Sequence, residues 1–433
     1  MSAVHLSGLL GRPIVTSDGQ RVGRLTDVIV VLPERGAYPR VTGLVAKVSG
    51  RHLYVDAATI ATLSAEETRV TTARLDVRPF ERRPREVLLR ADILGHRLID
   101  VPSAKLVRAH DVELDQQAGG WVLSRVDTTS RRRLFGLLAP RAVEGAHETR
   151  DWSEFEALIG HSTTVGVRNP LARLRRLRPA QIADLVEAAD REETDEILGA
   201  VHADVELEAD VFEEMEPDRQ IEILRDRSDA EVAEVLVHMR PDDAADLIAD
   251  LPQNRRLPVL GLLPATVQVK IRNLLGFNPA TAGGLMNPDF LALPADTTVA
   301  AALAGVAQAH QVPHEVLAIV YATSAGVLSG SITLAGLIQA DPSRSLAEVT
   351  EANPVHVHPD ADLTAVAIRM TDFNLVTIPV VDDTGVILGV VTVDDVLEVT
   401  VPQDWRKREE GAPTSDRPRP DSGPSTLPAG EQT

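Results

Sequence analysis

From Gly11 to Val126 apolar and polar positions largely alternate, a period of two that predicts short strands. The pattern occurs twice: GRPIVTSDGQRVGRLTDVIV from Gly11 lies over GHRLIDVPSAKLVRAHDVEL from Gly95, at an offset of 84. Identities are Gly11 with Gly95, Arg24 with Arg108, and Asp27-Val28 with Asp111-Val112. Each copy reads as a strand, a turn and a second strand ending in Asp-Val, followed by a β-rich stretch at 41–48 or 121–126. Two small barrel-like or sandwich-like β units, packed side by side, are the expected result.

In the centre the period lengthens to that of a helix. QIADLVEAA, EVAEVLVHM and DDAADLIADL each repeat apolar residues at i, i+3, i+4 and i+7. Prolines 179, 217, 241, 252 and 264 divide this segment. Pro fits a helix's first turn and breaks its interior, so these positions mark helix starts. Ser228 and Glu231 have the spacing of a capping box. A superhelix of short helices is predicted.

The third pattern is another repeat. GVLSGSITLAGLI from Gly326 lies over GVILGVVTVDDVL from Gly385 at an offset of 59, and Asn287-Pro288 and Asn353-Pro354 open the two copies. Each reads as strand, helix, strand, Gly turn, strand, helix. Residues 316–340 carry no charge, but Ser, Thr and Gly split them into strand, turn, strand and helix start, not a membrane span. The expected architecture is multidomain α+β: barrel-like units at 1–88 and 89–140, an all-α superhelix at 150–278, α/β units at 279–345 and 346–402, and a disordered tail at 403–433.

Composition sharpens this picture through charge. The 433 residues hold 44 Lys+Arg against 64 Asp+Glu, a net charge of -20. Residues 184–250 alone contribute 24 carboxylates and five arginines. Acidity on this scale disfavours nucleic acid as a partner. Cysteine is absent, which excludes disulfides, thiolate ligands and thiol catalysis. The N-terminus lacks the basic and apolar regions of a signal peptide. The P-loop, zincin and nucleophile-elbow signatures are missing, so no enzyme is expected.

Candidate chemistry concentrates in Pro241-Asp-Asp-Ala-Ala-Asp-Leu-Ile-Ala-Asp250. Asp242 and Asp246 are i,i+4; Asp243, Asp246 and Asp250 share one helical face. Like charges at that spacing repel. First-turn placement against the helix dipole accounts for Asp242 and Asp243 but not for Asp246 and Asp250. Two readings stay open on spacing alone: a solvated acidic face, or a site for a hard divalent cation with oxygen ligands. His356 and His358 lack a third ligand and read as an exposed structural pair. The arginines at 78, 82, 83, 85 and 90 read as a solvated linker between the β units, and the Arg-rich stretch at 168–178 as the solvated start of the helical region.

Three resemblances follow. The β repeat resembles the PRC-barrel family over residues 5–138, which implies a docking module. The second repeat, with IPVVDDTG at 378–385, resembles a tandem pair of CBS domains. LRPAQIADLVEAA, MRPDDAADLIADLP, TAGGLMNPDF and GVVTVDDVLEV, in that order, resemble the cytosolic half of MgtE-type magnesium transporters over residues 170–402. That resemblance implies Mg²⁺ held between the helical domain and the CBS pair by Asp242 or Asp243 on one side and by Asp395 and Glu398, where the family usually has Asp, on the other. Asp246 joins the candidate ligands through its place on the same helical face. Thr392 and Asp395 match the hydroxyl-x-x-carboxylate pattern by which CBS domains hold ribose, implying ATP or AMP. The first copy has Gly336 in place of the carboxylate. The family continues through an acidic helix into a membrane domain, whereas this chain continues into a Pro/Gly/Ser-rich tail with no transmembrane segment. The resulting expectation is a cytoplasmic, non-enzymatic Mg²⁺ sensor, dimeric through its CBS pair, acting on a membrane transporter or another cytosolic partner. The alternative is a constitutive scaffold whose CBS pair senses ATP or AMP and whose barrels dock a partner.

Overall fold

The computed structural model describes residues 3–32, 37–72, 80–83, 85–129, 149–158 and 174–401. The expected tail, Arg78 and residues 168–173 of the Arg-rich stretch lie outside these residues. The chain divides into two compact units, one ending at Gln268 and one beginning at Val269.

The first unit opens with a strongly curved β-sheet. Strands Arg21–Val31 and Arg40–Val48 form its longest hairpin, with Pro13–Thr16 and Arg51–Asp56 on either flank. Asp111–Gln117 and Gly120–Asp127 form the hairpin of the second copy. Val122 pairs with Arg40, so this hairpin joins the sheet of the first copy, while Arg97–Asp100 and Lys105–Arg108 form a separate three-stranded sheet with Phe155–Ala157. Their interiors also merge: Leu6, Leu25, Leu44, Ile93, Leu98, Leu123 and Phe155 belong to a single buried cluster. The sheet is barrel-like as expected, but the copies are not separate bodies side by side.

The reason is a reciprocal exchange. Asp27 of the first copy accepts hydrogen bonds from the amides of Arg90 and Ala91, in the turn that opens the second copy. Asp111 of the second copy accepts from the amide and hydroxyl of Ser7, in the turn that opens the first. Each copy therefore caps the other's entry turn. Of the arginines expected to be a solvated linker, Arg83 and Arg90 are exposed, but Arg82 holds buried Asp92 at 2.6 Å and Arg83 also lies over the Tyr54 ring at 4.4 Å.

The helical region of the same unit begins at Pro179–Ala188 and runs through Arg191–Val201, Val205–Glu213, Pro217–Leu224, Asp229–His238, Pro241–Asp250 and Gln253–Leu262. Proline opens Pro179–Ala188, Pro217–Leu224 and Pro241–Asp250 as expected. The starts without proline use Asp190, Asp204 and Ser228, whose side chains accept from amides in the first turn. Each helix packs on the next but one, which generates the superhelix: Pro179–Ala188 on Val205–Glu213, that on Asp229–His238, and that on Gln253–Leu262. Arginines close the orphan carbonyls of helix ends. Arg219 donates to Val186 O, Ala189 O and Thr194 Oγ1, and Arg255 repeats the device on Leu224 O, Arg227 O and Asp229.

The second unit is the tandem α/β repeat. Ile319–Ser324 and Val327–Thr333 form the first hairpin, Thr377–Val381 and Ile387–Thr392 the second. Gly326 and Gly385 sit at φ of +84 in the turns, which is why glycine recurs there. The uncharged stretch is strand, turn, strand and helix, as read from sequence, and no helix among the described residues is long and apolar enough to cross a membrane. The copies interlock here too: Asn287 exchanges two backbone hydrogen bonds of 2.9 Å with Val390, and Tyr321 and Ile387 share a core. The TAGGLM motif has a steric basis, since a Cβ on Gly284 would stand 2.4 Å from Asn278 O.

Candidate functional site

The carboxylates expected on Pro241–Asp250 separate into two groups. Asp242 is buried against the helical core, whereas Asp246 and Asp250 are exposed and Asp243 lies between these extremes. Ala244, Ala245, Leu247 and Ile248 supply the helix's buried face.

Two acids that sequence reasoning did not select join this face, Asp210 and Glu213 of Val205–Glu213. The helix Pro241–Asp250 has no side-chain cap of its own, because its N-cap residue is Arg240. Glu213 supplies the missing acceptor, taking the Arg240 amide at 2.5 Å. The Arg240 guanidinium turns to Asp243 at 2.7 Å and reaches Glu213 at 3.6 Å. Burial, then the charge of Asp243, push the Glu213 carboxyl up to about 8. Loss of hydration, then Asp243 and Asp250, raise Asp246 to about 6. Asp210 is also raised, by burial and by the charges of Glu206 and Asp204. Asp210, Glu213 and Asp243 thus gather around Arg240, and the charge of Asp243 extends the group to Asp246 and, through it, Asp250. A signal for this was present in the sequence: Glu213 and Asp250 are the last residues of their helices, where the dipole disfavours negative charge.

In the second unit, Thr392 and Asp395 are brought together as a capping box at the start of Val393–Thr400. Thr392 Oγ1 donates to Asp395 Oδ2 at 2.5 Å, and both residues are buried. Glu398 lies on the exposed side of the same helix, beside Leu397 and Val399. In the first copy Thr333 caps the amide of Gly336 at 3.0 Å, so the missing carboxylate halves the box. Among the described residues, no three acids or histidines converge closely enough to form a metal cage within the structure. What the helix Pro241–Asp250 and its neighbour Val205–Glu213 offer is carboxylate oxygen in excess over cations. His356 Nδ1 contacts Pro354 O and His358 approaches Asp383 at 3.2 Å, each engaged locally.

The helical region is also pinned to the barrel. Arg97, in the second β copy, donates to Ala188 O at 2.9 Å and grips the Glu193 carboxylate through Nε at 2.8 Å and through a second nitrogen. A cleft of about 400 Å³ beside it is lined by His96, Arg108, Asp190 and Glu196.

Fold and site define a regulatory module: a superhelix of acidic helices followed in the chain by a CBS pair. Comparison with known proteins gives this class its particular form. Residues 177–280 match the model of the MgtE intracellular N domain, and residues 346–401 match that of the CBS domain. The magnesium transporter MgtE of Thermus thermophilus is 28% identical over 245 residues, covering 50% of this chain and 54% of the relative. MgtE of Enterococcus faecalis is 28% identical over 130 residues, covering 30% of this chain and 29% of the relative. The chain thus spans at most about half the length of these relatives. A crystal structure of the cytosolic domain of the Mg²⁺ channel MgtE in complex with ATP superposes with a TM-score of 0.50 at 28% identity. It covers 53% of this chain and 93% of that domain. Residues 177–280 therefore match the MgtE intracellular N domain and residues 346–401 a CBS domain.

Proposed function

We propose that this chain is a cytoplasmic Mg²⁺-sensing regulator without transport activity of its own. The observation that carries the reading is the carboxylate excess around Arg240, where Glu213 and Asp246 are held far from their ordinary ionisation. Mg²⁺ would neutralise the face made by Asp243, Asp246 and Asp250, with Asp242 behind it, and in the CBS pair it would draw on Asp395 and Glu398. Binding then favours whichever arrangement of the chain brings more carboxylate oxygen to the ion, and the change in exposed surface is the output. The partner is a membrane transporter or another cytosolic protein. A second copy of the chain is expected on the CBS pair, whose second repeat exposes Ile368, Phe373, Val376, Leu397 and Val399.

Calorimetry with Mg²⁺ on the wild type and on Asp243→Ala and Asp395→Ala tests this reading. Binding in the millimolar range, weakened at least several-fold by Asp243→Ala, with compaction in small-angle scattering, is expected. A wild-type protein that neither binds nor compacts at millimolar Mg²⁺ refutes it. The second reading, an ATP- or AMP-sensing scaffold, is favoured by the Thr392–Asp395 box and by the ATP complex of the related cytosolic domain. Titration of ATP and AMP against Asp395→Ala decides it, and unchanged affinity excludes a ribose role for Asp395.

A further inference from the structure

The chain's acidity is confined, and the barrel is its opposite: residues 1–100 hold 15 Lys/Arg against 11 Asp/Glu, net +4. At one end of the curved sheet these cations form a row. Arg24 stands directly opposite Lys47, and Lys47 directly opposite His52, so three basic side chains share one face across three adjacent strands. Arg21 flanks the row at the start of its strand, whereas Arg51 alternates with buried Leu53 and Val55 and belongs to the other side; all five residues are exposed. Like charges placed opposite one another in a sheet destabilise it. None of the five has an acidic partner among the described residues, although the chain as a whole has twenty more acids than bases. The acid of the adjoining turn, Asp18, already takes the Thr16 hydroxyl. Among the described residues the row is therefore without a compensating acid.

We infer that this face docks on an anionic lipid bilayer. Charge complementarity selects an anionic surface. A bilayer suits a few cations on an exposed sheet face, because each adds independently to attraction by the headgroups, about fivefold per Lys or Arg. Single-stranded nucleic acid would call for stacking aromatics. Tyr54, on the same face, is covered by Arg83 at 4.4 Å and offers no stacking surface. Three permanent charges, Arg21, Arg24 and Lys47, give weak, salt-sensitive docking that two copies in a dimer strengthen together. The inference is independent of the Mg²⁺ reading, since it concerns the barrel and needs no cation.

Sedimentation of the full chain with phosphatidylcholine vesicles, with and without phosphatidylserine, tests it. Binding to the phosphatidylserine vesicles alone is expected, lost at high salt and weakened about 25-fold in Arg24→Ala/Lys47→Ala. Arg191→Ala/Arg225→Ala, on the helical region, serves as the control and should bind as the wild type does. Thermal unfolding of both variants confirms that the fold is retained. No binding to phosphatidylserine vesicles, or binding that the barrel variant leaves unchanged, overturns the inference. Binding to a DNA oligonucleotide but not to vesicles, or a barrel variant that alters only self-association, overturns it as well.

Discussion

The barrel buries its carboxylates one by one, whereas the helical region gathers several acids, most of them exposed, into one cluster. In the barrel each has its own donors. Asp27 accepts from the amides of Val28, Arg90 and Ala91; Asp92 has Arg82 and the Leu88 amide; Asp100 has Arg150 and Ser103. In the helical region Asp210, Glu213 and Asp243 gather around Arg240, and the charge of Asp243 extends the group to Asp246 and Asp250. A buried charge surrounded by N–H groups fixes a connection, here between two β copies. Acids that face one another without a full set of donors are raised first by burial and then by each other's charge, the second of which a cation would oppose. The difference separates acids that hold the fold from acids that are available to a ligand.

The largest expected effect tests the first half of that contrast. Asp27→Ala leaves two amides of the turn at Arg90 and Ala91 without their acceptor and should cost about 2–4 kcal/mol of stability. Chemical denaturation measures it, and a cost below about 0.5 kcal/mol would mean that the exchange between copies is incidental. Asp27→Asn keeps one acceptor oxygen and should lose less.

Glu213→Gln tests the second half. The folded carboxyl titrates near 8, above its ordinary 4.5. The protonated form is therefore favoured in the folded state. This contribution is fully present below about 4.5 and is lost as pH rises towards about 8. Gln retains an acceptor for the Arg240 amide without the charge, so the variant should exceed wild-type stability at pH 8 by roughly 1–2 kcal/mol and flatten the pH dependence. Mg²⁺ at about ten times its dissociation constant should raise wild-type stability by about 1.4 kcal/mol and raise the variant's less. Denaturation at pH 5 and pH 8, with and without Mg²⁺, reads all of these. An unchanged pH slope in Glu213→Gln would separate the cluster from the sensor reading.

What was legible in the sequence follows the same division. Periodicity and proline gave helix starts at Pro179, Pro217 and Pro241, and the glycine turns at 326 and 385 are where the repeat put them. These features are local. The exchange between Asp27 and the turn at Arg90 spans 63 residues, and Glu213 meets Arg240 across 27, so no window of sequence contains both partners. The alignment of the two Asp-Val pairs showed that Asp27 and Asp111 are equivalent, but not that each serves the other's copy. Asp242 shows the reverse limit: its spacing grouped it with Asp246, yet it is buried while Asp246 is exposed.

The smallest effect concerns an acid that fits neither class. Asp395 is buried like a barrel carboxylate, but its partner Thr392 is a neighbour in sequence, and together they cap Val393–Thr400. A cap of this kind contributes about 1 kcal/mol, so Thr392→Ala should lower stability by that amount and no more. The same substitution distinguishes a cap from a ligand. If Asp395 serves only the helix, Thr392→Ala weakens the CBS pair in thermal unfolding and leaves ATP and Mg²⁺ titrations unchanged. If freeing the carboxylate from Thr392 Oγ1 strengthens Mg²⁺ binding, the box is a latch on a ligand oxygen, and Asp395 belongs with the acids around Arg240.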